Sequence, residues 1–199
     1  LAAAEAAMWR PEAFLELPAT QGNFAVGFNL DASVHEAALD AVRRELELCE
    51  RPQGVLLGEA LGEGAAGAAA KLTEALVDEG VEVAHWCLLP DHRAVERFRD
   101  VAALWNCVLA FSHLIDLSRL SFLLDPACVV QSLALGPPVL RDWLTPEARL
   151  AAGLSNITAP LRFPGGHANT SLRRLCCQHV PYPRLHFLTA SLSSGPAAE

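Results

Sequence analysis

A short apolar run that closes in glycine and passes through a Gly/Ala-rich turn to a helix is the feature that most narrows what this chain can become. Gly54-Val55-Leu56-Leu57-Gly58 is bounded by turn residues, which suits a buried parallel strand. A Gly/Ala-rich segment over 58–70 follows, and then Lys71-Leu72-Thr73-Glu74-Ala75-Leu76-Val77 with helical character. Residues 81–89 read as the next strand, ending at Pro90. A long apolar helix is expected over 95–115, and a short buried strand at Ser121-Phe122-Leu123-Leu124. Strand, glycine turn, helix, strand, helix, strand is the order of an α/β sheet with crossover helices.

The flanks fit the same class. Over 32–49 the apolar residues Val34, Ala38, Ala41, Val42 and Leu46 recur at helical spacing, and Asp31 or Ser33 can cap the start. Gly136-Pro137-Pro138 breaks the chain. Thr145-Pro146-Glu147 then opens a helix with Leu150, Leu154 and Ile157 on one stripe, which Pro160 and Pro164 are expected to end. One more helix is expected over 171–180, a strand over 184–188, and a frayed Ser/Gly/Pro tail after Ser191. No internal repeat is visible. With 199 residues and 52% hydrophobic composition, the chain can bury the core of one domain and the beginning of a second.

Bulk charge excludes some functions. A formal charge of −8 and the absence of a basic patch argue against nucleic acid, whose phosphates need a basic face. Six cysteines, at 49, 87, 107, 128, 176 and 177, form no CxxC pair and read as reduced thiols. His85, Cys87 and His92 lie close in sequence, but their spacing fits no zinc module. The apolar stretch over 101–124 is interrupted by Asn106, His113, Asp116 and Arg119, so no membrane span is expected. The opening Leu1-Ala2-Ala3-Ala4 has no basic stretch before it and does not read as a signal peptide. Without an initiator methionine, the sequence reads as a fragment or an incomplete gene product.

The turn after the first strand carries the chemistry. A strand, a glycine loop and a helix N-terminus make an anion site, because free backbone N–H groups and the helix dipole converge there. Gly62, Gly64 and Gly67 match G-x-G-x-x-G, the dinucleotide fingerprint. Too little sheet precedes that turn, and no matching ribose carboxylate follows it, so the dinucleotide reading is set aside. Ser121 and Ser155 lack a nucleophile-elbow pattern, so no hydrolase is suggested.

Two proline-bracketed segments point to a family. Leu161-Arg162-Phe163-Pro164-Gly165, followed by Val180-Pro181-Tyr182-Pro183-Arg184-Leu185-His186-Phe187, resembles the tubulins, and most closely their beta type. Met8-Trp9-Arg10-Pro11-Glu12-Ala13-Phe14 is similar to the family's L-F-R-P-E-x-F. Gly22-Asn23-Phe24-Ala25-Val26-Gly27 is similar to N-N-W-A-K-G, and Asp40-Ala41-Val42-Arg43-Arg44-Glu45 to D-V-V-R-K-E. The middle, from about Val81 to Leu140, is less similar. The resemblance implies a Rossmann-like α/β fold. Residues 1–140 would be the C-terminal half of the tubulin nucleotide domain, 141–163 the core helix and 164–199 the start of the intermediate domain. About half of a family member would be present.

Further expectations follow from that resemblance. The family binds GTP with Mg²⁺ through a G-G-G-T-G-S-G loop, where this chain has Gly62-Glu63-Gly64-Ala65-Ala66-Gly67-Ala68. Gly62 and Gly64 match. Ala65 lacks the hydroxyl donor, a loss of roughly 0.5–1.5 kcal/mol. Ala66 and Ala68 add Cβ atoms that disfavour positive φ. Glu63 sets a carboxylate near a polyphosphate, a repulsion of about 1 kcal/mol or more. Asn23 matches an asparagine beside the terminal phosphate, and it also suits a plain turn. Trp143 stands where the family stacks an aromatic on the base. Pro126 replaces one base-reading asparagine, and Glu147 the other, unless Glu147 only complements its helix dipole. Ala103 replaces the acidic ribose contact, with Trp105 and Asn106 after it. In the loop towards the next subunit, Asn169 matches the family and Arg174 falls at the beta-type lysine, so no carboxylate there orients water. Catalysis by this chain alone is not expected. The implied setting is the cytoplasmic microtubule cytoskeleton, with an alpha-tubulin-like subunit or other tubulins as partners, and neither nucleic acid nor membrane. Alternatively, the chain is a pseudo-tubulin that only binds protein, or a decayed gene product that binds no nucleotide.

Overall fold

The computed structural model describes residues 10, 14–90, 101–127, 146–163 and 170–190. The first helices are α1 (Phe24–Phe28) and α2 (Ala32–Glu47). Strand β1 (Val55–Ala60), helix α3 (Ala65–Asp78), strand β2 (Val83–Leu88), helix α4 (Val101–Leu117) and strand β3 (Leu120–Leu124) then alternate. Helices α5 (Pro146–Arg162) and α6 (Leu172–His179) precede strand β4 (Phe187–Thr189). The strands lie in the order β1-β2-β3-β4, and every neighbouring pair is parallel. Register is fixed by pairs such as Leu57 with His85 and Trp86 with Phe122.

The alternation of side chains along β2 and β3 sends one set to each face, and each face has its own core. On one side Cys87 packs with Leu61, Ala66 and Ala70 of the β1–α3 unit, with Phe24 of α1, and with Cys107, Ala110 and Leu114 of α4. On the other, Ala84, Leu120 and Phe122 pack with Leu172 and Leu175 of α6, while Ile157 and Leu161 of α5 lie against them. The Trp86 and Phe122 rings stack on that second face at 4.6 Å between centroids. Helices on both faces of a parallel sheet are the expected α/β class.

Boundaries differ where physical detail overrides pattern. β1 is an edge strand whose side chains alternate between half-buried and exposed, so it is not the buried strand its apolar run suggested. The Gly/Ala-rich segment is largely helical, because α3 starts at Ala65 and buries the small residues Ala66, Gly67, Ala68 and Ala70. Glu79 and Gly80 stop that helix. Gly80 takes φ +78°, its N–H bonds Val77 O at 2.9 Å, and the Val81 N–H bonds Leu76 O at 2.9 Å. Asp31 stands at the start of α2 but makes no side-chain cap. Pro160 does not end α5, which continues to Arg162, and the Phe163 N–H still bonds Ala159 O at 3.0 Å. Thr145, Pro164 and the tail beyond Ser191 lie outside the described residues.

Candidate functional site

In a parallel sheet, ligands bind at the carboxyl ends of the strands. Here that edge carries the turn from β1 into α3. The Leu61 N–H bonds Leu88 O at 3.0 Å, and the Glu63 N–H folds back to Ala60 O at 3.1 Å. Gly64 then stands at the start of α3 with ordinary helical backbone angles. Residues 20–28 lie over this turn. Gln21 (φ 52°) and Gly22 (φ 67°) are both left-handed, and the Asn23 N–H closes on Thr20 O at 3.0 Å. The Asn23 side chain then caps α1 by accepting from the Ala25 N–H at 2.8 Å.

Contact between α1 and α3 is made by backbone against backbone. A Cβ on Gly64 would overlap Thr20 Oγ1 and the Asn23 nitrogen. One on Gly67 would overlap Phe24 O, and one on Gly27 would overlap Gly64 O. The glycines here are therefore filled by protein. Gly62 is confined as well, its Cβ position lying 3.1 Å from Pro90 Cβ and 3.4 Å from Ala103 Cβ. Phe24 and Phe28 set their rings 5.7 and 5.0 Å from the His113 imidazole on α4, which completes the packing of α1.

Asn106 joins the two layers. It is 4% exposed within a mostly apolar helix. Its Nδ2 donates to Gly22 O at 2.8 Å and to Gly62 O at 2.9 Å, and its Oδ1 accepts from the Phe24 N–H at 3.0 Å. Both amide protons and the acceptor are used, so the burial costs no unmet hydrogen bond. At the helix N-terminus the Ala66 N–H donates to Glu63 O (3.2 Å) and the Gly67 N–H to Gly64 O (3.1 Å), which leaves fewer amides for an anion. Glu63 and Ala65 are the exposed residues of this turn. A carboxylate beside a helix N-terminus complements the dipole and repels a second anion.

No family model matches the sequence. Curated relatives do. The chain is 30% identical over 190 residues to a tubulin beta-2 chain of Emericella nidulans, covering 91% of this chain and 41% of that one. It is 30% identical over 191 residues to beta-Tubulin at 65B of Drosophila melanogaster, covering 93% and 40%. A tubulin beta-2 chain of Geotrichum candidum is 29% identical over 195 residues, covering 94% and 42%.

The chain is a divergent, beta-tubulin-like one. It spans about two-fifths of the length of the curated relatives it matches.

Within this tubulin-like chain, the structure brings three of the expected nucleotide residues together. Gly62, Gly64 and Asn23 share the turn, although Asn23 spends its oxygen on the α1 cap. Trp143 and Asn169 lie outside the described residues, and Glu147 falls in the first turn of α5. Ala66 and Ala68 belong to the helix, so the expected cost of positive φ does not arise. Their methyl groups are buried. Pro126 offers no amide. Beside it the Asp125 carboxylate accepts from the Ala127 N–H at 2.8 Å. Asn106, matched in sequence to a residue next to the ribose contact, is instead a structural clamp. The signal for that was a lone amide inside an apolar helix, which must find partners.

A second polar group lies deeper. His85 Nδ1 sits 2.9 Å from Glu59 Oε1, both side chains nearly inaccessible. Burial and the neighbouring Glu59 push the Cys87 thiol far above its ordinary value, so it stays protonated. No cluster of metal-binding residues occurs among the described residues.

Proposed function

We propose that the chain is a tubulin-like structural constituent of the cytoskeleton that binds tubulin-type partner subunits, and that its glycine turn is a packing joint. The observation that carries this reading is the filling of Gly64 and Gly67 by residues 20–28. Glycines that leave room for phosphate in a nucleotide loop here leave room for a helix. Residues 1–140, 141–163 and 164–199 would then be the partial nucleotide domain, the core helix and the start of the intermediate domain. Partners would be an alpha-tubulin-like subunit or other tubulins in the cytoplasm.

A second reading keeps GTP with Mg²⁺, and the place of the turn supports it, at the carboxyl end of parallel strands and ahead of a helix N-terminus. Gly62, Gly64 and Asn23 would face the phosphates and Trp143 the base. The sequence over 164–174, the loop towards the next subunit, holds no carboxylate, so this chain would not promote hydrolysis of a partner's nucleotide through that face.

The deciding experiment titrates GTP with Mg²⁺ and follows the thermal midpoint, beside co-sedimentation with polymerised tubulin. The packing-joint reading expects co-sedimentation and no shift. A saturable shift worth about 2.7 kcal/mol at a hundredfold excess over Kd would establish the second reading. Failure to co-sediment would remove the partner-binding part of both.

A further inference from the structure

A cleft of about 550 Å³ opens at the amino ends of β3 and β4, the edge of the sheet away from the glycine turn. Its size is that of a small-molecule site. Ile115 and Val180 give it an apolar wall, while Asp116, Arg119 and Arg184 bring charge, and Cys176 and Cys177 bring two thiols. Arg119 is shared with Glu82, whose Oε2 lies 3.2 Å from its Nε. Arg184 has no carboxylate partner among the described residues. Cys177 is exposed and Cys176 half-buried. Burial pushes the Cys176 thiol up, which leaves Cys177 as the accessible nucleophile.

We propose that this cleft takes a small amino-acid-derived disulfide, with Arg184 holding a carboxylate and Asp116 an ammonium, and that Cys177 exchanges with it. The Cys177 thiolate attacks one sulfur of the disulfide. A new bond forms from Cys177 Sγ, the original S–S bond breaks, and the departing half leaves as a thiolate that takes up the proton Cys177 gave to solvent. One disulfide is consumed and one is made, so no further oxidant is needed.

Cys49 is an internal control. It is also exposed, but it lies just past the end of α2, where its Sγ donates to Glu45 O at 3.3 Å, and acidic Glu45, Glu47 and Glu50 surround it in sequence. The test treats the native chain with glutathione disulfide and separately with neutral 2-hydroxyethyl disulfide, and quantifies each modified peptide by mass spectrometry. Cys177 is expected to react about fivefold faster than Cys49 with glutathione disulfide, a preference of the size a few partly screened charges provide. That preference should be absent with the neutral reagent and in denaturant, and Arg184→Gln should lower it about threefold. Equal modification of Cys49 and Cys177 would overturn the proposal. So would a Cys177 preference that is the same for the neutral disulfide and indifferent to Arg184→Gln.

Discussion

Asn106 holds three backbone groups that bond no other group among the described residues: the Phe24 N–H, Gly22 O and Gly62 O. Replacing it with alanine strips those bonds at a buried position, and leaving a buried polar group unmet costs about 1–3 kcal/mol. Asn106→Ala should therefore destabilise the fold by about 3 kcal/mol in urea unfolding, and Asn106→Asp should not rescue it because both donors are lost. Glycines separate by the same logic. Gly67→Ala drives a methyl into Phe24 O, which is backbone and yields poorly, so a loss of about 2 kcal/mol is expected. Gly58→Ala meets nothing within 4 Å and should stay within about 0.5 kcal/mol of the parent. Equal midpoints for the two variants in one denaturant series would show that the α1–α3 contact is not made as described. In sequence these glycines look alike, since the distinction lies in what residues 20–28 place against them.

Elements were legible to different degrees. The helices over 32–49 and 171–180 were readable from their spacing, and β2 and β3 from short apolar runs between turn signals. β1 was misjudged as buried because its apolar residues sit on an edge strand with one unpaired side. α3 begins six residues earlier than the sequence predicts, because alanine, the best helix former, extends the helix through the Gly/Ala-rich segment. Pro160 predicts a stop, yet α5 continues past it to Arg162. Its last turn is tied by Arg162, whose guanidinium donates to Ser155 O at 2.7 Å and Ser155 Oγ at 2.8 Å, and by the Thr170 N–H bond to Pro160 O at 3.3 Å. The proline still removes a helical N–H and crowds the preceding turn. Pro160→Ala should thus stabilise the chain by roughly 1–3 kcal/mol, read as a raised urea midpoint with an unchanged slope.

At the scale of the molecule, the core contains thiols whose ionisation burial pushes to higher pH. Burial raises the Cys107 thiol from 9.0 to about 11, and raises Cys87 further. The folded state holds these protons more tightly than the unfolded chain, so their contribution is complete below pH 9 and is lost as pH rises towards and past 11. Stability measured by urea unfolding should fall between pH 9 and 11, with a slope approaching about 1.4 kcal/mol per unit for each thiol. Cys107→Ala should make that slope shallower. Family was readable from the motifs that flank the middle of the chain, and sheet class from the alternation of strand and helix signals. The state of the candidate site was not, because phosphate cradle and packing joint use the same glycines and differ only in what fills them. Asn106 also carries a message about time. Its bonds close chain separations of 82, 84 and 44 residues, and contacts that span so much chain are entropically costly to form early. The clamp is then a late event in assembly, and its strength acts as a brake on unfolding more than as a spur to folding.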